Sequence, residues 1–143
     1  MDEQMTISQL EDTFIEDINT LGDWFLQYQY LLELSVEMPK IPEDARSEEN
    51  KVKGCQSGVW LLLSCKDGVV SVKADSDALI IRGILAIIVS LLDGRRAEEI
   101  TAYEPRFISE TNIKNQISTD RFAGIHSVIK TVQDYADRVG DNR

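Results

Sequence analysis

Three side chains in this sequence have the chemistry of a soft nucleophile or ligand: Cys55, Cys65 and His126. Cys55 lies in Lys51-Val52-Lys53-Gly54-Cys55-Gln56-Ser57-Gly58. The thiolate is the nucleophilic form of cysteine, and Lys51, Lys53 and the backbone N–H groups of a tight loop would favour it. Gly54 admits unusual backbone angles and lets another molecule come close. Two readings are open at this point: a nucleophile on a locally basic loop, or a loop cysteine filling a gap. Cys65 lies ten positions on, roughly 30 Å away along a straight strand, whereas a disulfide needs Cα atoms within about 7 Å. It reads as a strand-packing residue, unable to resolve an oxidised or sulfur-loaded Cys55. His126 lies beside an apolar helical stripe, with no nucleophile or carboxylate evidently placed to work with it, and reads as a partly buried structural residue. Two cysteines and one histidine cannot form a tetrahedral metal site without carboxylate help, so no metal and no other cofactor is expected.

The elements that must position Cys55 follow from periodicity. Residues 5–37 read as helix: Leu10, Phe14 and Ile18 recur every four positions. After a break at Gly22, the stripe continues through Phe25, Tyr28, Leu32 and Val36, thickened by Trp24, Leu31 and Leu34. Met38-Pro39-Lys40-Ile41-Pro42 ends it, and 43–51 make a polar surface loop. Val59-Trp60-Leu61-Leu62-Leu63 and Val69-Val70-Ser71-Val72 are strand-like runs, joined through Asp67-Gly68, a two-residue hairpin signal. Val70 is the expected cross-strand neighbour of Cys65. Asp75-Ser76-Asp77 reads as caps and negative charge at a helix start. Residues 78–92 are apolar on most sides except for the file Arg82, Ala86 and Ser90, so this helix must be sandwiched in the core, with Gly94 at its C-terminal cap. Short helical pieces are expected at 96–102 and 104–111. The last helix starts near Thr119 and carries Phe122, Ile125, Ile129, Val132, Ala136 and Val139 on one face. Helices from both ends of the chain around a hairpin-centred antiparallel sheet make an α+β fold, read as one domain over 1–143.

Composition narrows the function. The formal charge is −10, which argues against nucleic acid or an anionic membrane as partner. The acidity is lopsided: residues 1–50 hold thirteen acids and two bases, and 51–143 hold twelve acids and thirteen bases. Met1-Asp2-Glu3-Gln4 is unlike a secretory leader. The most apolar stretch, 79–92, is too short to span a bilayer, which takes about 20 residues. A cytosolic protein with reduced thiols is expected. There is no Gly-rich phosphate loop, no Ser-in-elbow motif and no His pair at metal spacing. A lone thiol excludes C-x-x-C oxidoreductases. What remains is a covalent carrier of a transferable group, a peroxide-reactive thiol, or a ubiquitin-like conjugating cysteine. The last lacks its His-Pro-Asn motif, and the second would need strands alternating with helices.

Gly54-Cys55-Gln56-Ser57, followed by Val59-Trp60, resembles the SufE family of sulfur-acceptor proteins. The likeness extends to Tyr30-Leu31-Leu32-Glu33-Leu34, Met38-Pro39 and Asn50-Lys51-Val52 upstream. Downstream it includes Ala74-Asp75-Ser76-Asp77-Ala78, Arg82-Gly83 and Thr119-Asp120-Arg121 through Gly124, so that it runs from about 12 to 137. Two positions depart from the family pattern. Gly58 replaces a larger polar residue, an exchange expected to loosen the loop, and Asp120 replaces a more typical Ser or Pro-Ser pair ahead of Arg121. The resemblance implies a fold shared with IscU-type scaffolds and a persulfide relay. In that relay a pyridoxal-phosphate cysteine desulfurase passes sulfur to Cys55 and is stimulated in doing so, and an iron–sulfur scaffold receives the sulfur. It implies that Gly54, Gln56 and Ser57 shape the loop and that Arg121 contacts the loop or the desulfurase, a surface salt bridge being the plainer role. Asp75 and Asp77 read as helix caps first and partner contacts second. The alternatives are an iron–sulfur scaffold, against which a single site cysteine argues, and a purely allosteric activator of the desulfurase.

Overall fold

The structure is a computed structural model and describes residues 5–55 and 58–141. Helix α1 (Ile7–Leu21) opens on a capping box: Gln9 N–H donates to Thr6 Oγ1 (3.1 Å) and Thr6 N–H to Gln9 Oε1 (2.9 Å), so two otherwise unpaired helix-start donors are satisfied. It stops at Gly22, whose φ of +71° only glycine adopts cheaply. Asp23 then caps α2 (Trp24–Glu37) by accepting from Phe25 N–H. The break at Gly22 and the stop before Pro39 are as the sequence predicts. The face that α2 buries is Gln27, Leu31 and Ser35, whereas Phe25, Tyr28 and Val36 are exposed. Leu31 thus belongs to the core, while most of the stripe on its flank faces water.

Strands β1 (Val59–Lys66) and β2 (Val69–Ser76) form the expected hairpin, with Cys65 opposite Val70. Both turn residues have positive φ, Asp67 at 55° and Gly68 at 81°, as a tight two-residue hairpin requires. Helix α3 (Leu79–Leu92) follows and is buried along most of its length, Arg82 and Ala86 included; only its first residue and Ser90 are open to solvent. Its Gly83 meets the backbone of Leu31, where a Cβ would overlap the Leu31 carbonyl. Glycine here lets α2 and α3 approach closely. Asp75 and Asp77 are not caps of this helix. Asp75 ends up inside β2, and the N-cap position is Ala78, with no side-chain cap. Gly94 at φ +77° turns the chain out of α3.

The sheet gains a third, two-residue strand, β3 (Arg95–Arg96), in the order β1-β2-β3. It is followed by α4 (Ala97–Thr101). Residues 104–111 are turns, not the helix their composition suggests, and the next short helix, α5, lies at Ile113–Gln116. The reason is a long-range contact. The buried Glu11 carboxylate accepts from Tyr103 Oη–H (2.7 Å), Arg106 N–H (2.8 Å) and Phe107 N–H (3.1 Å), drawing that segment onto α1. Helix α6 (Thr119–Asp141) buries Ile125, Ile129, Val132 and Ala136 as predicted and packs against α4 and β1. The architecture is α+β: a small antiparallel sheet with α3 in the core and helices from both ends of the chain around it. Among the described residues no helix is long and apolar enough to cross a membrane.

Candidate functional site

Beyond β1, toward its N-terminal end, the preceding chain pairs with it. Val52 N–H donates to Val59 O and Leu61 N–H to Asn50 O, both at 2.8 Å, and Lys51 bridges Trp60. Residues 50–52 and 59–61 therefore form a second, shorter hairpin whose tip carries Cys55. Gly54 takes φ +90° and lies so close to α6 that a Cβ there would be 3.2 Å from Ser127 Oγ. The thiol meets the same helix one turn earlier. Cys55 Sγ–H donates to the Gly124 carbonyl at 3.4 Å, and a Cβ on Gly124 would sit 3.1 Å from the sulfur. Two glycines, one on the loop and one on α6, thus let backbone and thiol approach.

Cys55 is half-buried against an apolar wall of Val59, Ile81, Leu85, Gly124, Ile125 and Val128, with Arg121 at the same pocket. The cavity beside the sulfur is about 10 Å³, room for one water-sized sphere. Burial pushes the Cys55 thiol up from its ordinary value. This reverses the expectation that Lys51 and Lys53 would promote the thiolate: both lysines are exposed, where water screens them, and loss of hydration disfavours the charged sulfur more than they favour it. The thiol at rest is protonated.

The far end of the loop is fastened at Gly58 by Ser76, the last residue of β2, and by Asp77 just after it. Gly58 N–H donates to Asp77 Oδ1 (3.1 Å), and Gly58 O accepts from Ser76 Oγ–H (2.7 Å) and Asp77 N–H (3.3 Å). A Cβ on Gly58 would press on the Trp60 ring and the Asp77 carboxylate. Glycine at this position therefore fits a closed clasp with Ser76 and Asp77. Asp75, fully buried, accepts from Arg82 Nε (2.6 Å), Arg46 Nη2 (2.9 Å), Ile41 N–H (3.2 Å) and Ser76 N–H (2.8 Å). Burial alone would raise its carboxyl; the hydrogen bonds from Arg46, Arg82, Ser76 and Ile41 outweigh it and hold the group below the usual carboxylate range. Arg82 also donates to Ser35 O and to Met38 O (2.8 Å), tying the end of α2 to the start of α3. Arg46 lies over the Trp60 ring at 4.9 Å. A buried ion pair thus braces the end of β2, opposite Trp60 of the strand that the thiol loop enters.

Of the sequence-predicted residues, Cys55, Gly54 and Arg121 come together at one place, and Asp77 joins them through Gly58. Asp75 acts one step further back. Gln56 and Ser57 lie outside the described residues. Cys65 is a free, partly buried cysteine near the opposite end of β1, packed on the core. His126 is exposed, its ring 4.5 Å from that of Phe122, not partly buried as its place on α6 suggests. Sequence reasoning misses Ser127, Arg46 and the contact of Gly124 with the thiol. Only the glycine itself, in the middle of an amphipathic helix where it costs stability, hints that something approaches closely there. Among the described residues no group of three or more His, Cys, Asp or Glu could hold a metal ion.

Comparisons of sequence with known proteins point to one family. The profile of SufE, described as an Fe-S metabolism associated domain, matches residues 12–136. An uncharacterized SufE-like protein of Rhizobium meliloti is 34% identical over 131 residues, covering 88% of this chain and 94% of that protein. Another, from Rhizobium etli, is 35% identical over 130 residues, covering 87% and 88%. In three dimensions the chain is similar to a hypothetical protein from Thermus thermophilus solved in solution, with a TM-score of 0.72 and 18% identity over 94% of this chain and 97% of that one. At that identity the likeness concerns the fold alone.

Proposed function

The chain belongs to the SufE family, tied to Fe–S metabolism, and from that premise we propose that it is a sulfur acceptor that carries a single sulfur atom on Cys55. The donor is a cysteine desulfurase holding a persulfide on its own cysteine, and the recipient is an iron–sulfur scaffold. In the loading step the Cys55 thiolate attacks the outer sulfur of the donor persulfide. A new S–S bond forms at Cys55, the donor S–S bond breaks, and the donor cysteine leaves as thiolate, with no net oxidant or reductant required. The protein is an accessory that stimulates the desulfurase and catalyses no turnover of its own.

The observation that carries this reading is the setting of Cys55: a thiol at the tip of a braced hairpin, beside a cavity of about 10 Å³, with Cys65 near the opposite end of β1. A second thiol in reach would displace the sulfur as sulfide and form a disulfide; none belongs to the described part of the loop. The raised thiol pKa fits a carrier that stays protonated and unreactive alone. In this reading donor docking draws the thiol away from its apolar wall toward the donor's polar site, and the thiolate becomes available there. Arg121, which lines the pocket, would stabilise a terminal persulfide anion or the donor's thiolate by its positive charge once the loop is engaged.

With desulfurase and free cysteine present, the intact mass of the protein rises by one sulfur, ~32 Da, at Cys55. A Cys55→Ser chain gains none and stimulates the desulfurase poorly. Equal stimulation by Cys55→Ser and wild type would overturn the reading in favour of an allosteric partner.

A further inference from the structure

The least explained surface of the molecule is on α2. Phe25, Tyr28, Leu32 and Val36 follow one another at three, four and four positions, along about 16 Å of helix at 1.5 Å per residue. Phe25 is 66% exposed, Tyr28 38% and Val36 82%, and Leu32 is half-buried. None of them is needed for the core, which α2 supplies with Leu31 and its neighbours. Phe and Val are also indifferent helix formers, so local propensity does not explain them. Single exposed apolar residues are ordinary, but a contiguous stripe marks an interaction surface.

Charge identifies what covers it. Glu33 lies about 60° round α2 from Val36, on the side away from the buried Leu31, and Glu37 lies beyond it at about 100°. Among the described residues neither Glu33 nor Glu37 pairs with a cation. The first fifty residues hold thirteen acids and two bases. A second copy of the chain seated on the stripe would set acids against acids, which an isologous interface cannot relieve. A basic rim relieves it.

The stripe is also separate from the thiol. On α3, Gly83 faces α2, whereas Ile81 and Leu85 line the Cys55 cavity. At 100° per residue, 81 and 85 each point about 200° away from 83. α2 and Cys55 are therefore on opposite faces of α3.

We propose that the Phe25–Tyr28–Leu32–Val36 face of α2 is a docking surface for a second protein that presents an amphipathic element, apolar at its centre and rimmed by Lys or Arg, and that this partner binds while Cys55 remains free. The proposal goes beyond the sulfur-acceptor reading and does not depend on it. The probe is a synthetic Leu/Lys amphipathic helix of about 18 residues, five turns, with its Leu/Glu counterpart as control. Binding to the full chain is followed by fluorescence anisotropy at about 0.15 M salt, where the screening length is about 8 Å. The Leu/Lys peptide binds one to one, and Phe25→Glu or Val36→Glu weakens it about tenfold, as a charge buried in an apolar contact should. Loss of binding is diagnostic because an added carboxylate would strengthen mere charge attraction. Glu33→Gln with Glu37→Gln, which leaves the stripe intact, weakens binding about threefold, in the range of exposed ion pairs. Bound peptide leaves the alkylation rate of Cys55 unchanged. The proposal is overturned by no binding, by equal binding of the Leu/Glu peptide, or by undiminished binding to both Glu variants. It is overturned equally by a peptide that protects Cys55, or by wild-type self-association that Val36→Glu abolishes, which would make the occupant a second copy.

Discussion

The two ends of the β1–β2 hairpin are built by opposite means. At one end Asp67 and Gly68 close the turn with two positive φ angles that their own residue types favour, and β3 with Ala97 N–H, which donates to Gly68 O at 3.0 Å, only adds to it. At the other, the order of the Cys55 loop rests on residues far away in sequence: Asp77 on Gly58, Asp75 with Arg82 and Arg46, Gly124 and Ser127 on α6. A locally encoded turn takes its conformation from its own residue types. An end assembled from distant contacts can be released without unfolding the molecule, and that is where the thiol sits.

The largest test of this contrast is Arg82→Met. It leaves the Asp75 carboxylate without its closest partner in a dry site and should cost about 3–5 kcal/mol, read by urea denaturation. The acid side sharpens the test. Because Asp75 is held below its ordinary value of about 3.9, its contribution is complete above that pH. It disappears as pH falls through the lower folded value, so wild type loses stability in that window and Arg82→Met loses less. Next is Gly83→Ala, which forces α2 off α3 at the Leu31 backbone and should cost about 3 kcal/mol as overpacking. It leaves the Asp67-Gly68 turn untouched.

Gly124→Ala is a third way to set the ends apart. The added methyl meets Cys55 Sγ, Cα and Cβ, drives the thiol out of its cavity and removes the burial that raises it. The lowered pKa raises the thiolate fraction at neutral pH, measured as a faster iodoacetamide rate at Cys55 against an unchanged rate at Cys65. An unaltered ratio would mean that α6 does not hold the thiol. The folded thiol is raised, so its contribution to stability is full below the unfolded value of about 8.5 and is lost as pH rises through the folded value. Cys55→Ser should flatten that alkaline decline. The smallest effect is expected of Asp77→Ala, which removes one exposed hydrogen bond at Gly58. It costs about 1 kcal/mol or less, seen in hydrogen exchange confined to the loop.

The same division governs what can be read from the amino acids. The helix break at Gly22, the hairpin register that sets Cys65 opposite Val70, and the buried face of α6 are local or periodic, and each is legible. The turns at 104–111 are not, because the Glu11 carboxylate that claims Tyr103, Arg106 and Phe107 is more than ninety residues away. Asp75 is misread as a cap for a related reason: its spacing before α3 matches a helix start, and nothing nearby reveals that Arg46 and Arg82 converge on it. Cys55 is located by its motif, but its protonation is not, since Lys51 and Lys53 are visible in the sequence and the apolar wall from α3 and α6 is not.

The backbone bond from Val52 to Val59 acts as a short leash. Three residues separate Val52 from Cys55, and a fully extended chain covers at most about 3.6 Å per residue. However far the loop swings, the Cα that bears the sulfur stays within roughly 11 Å of that knot. Any molecule that exchanges atoms with it must make the journey, bringing its own reactive group to the body of this protein.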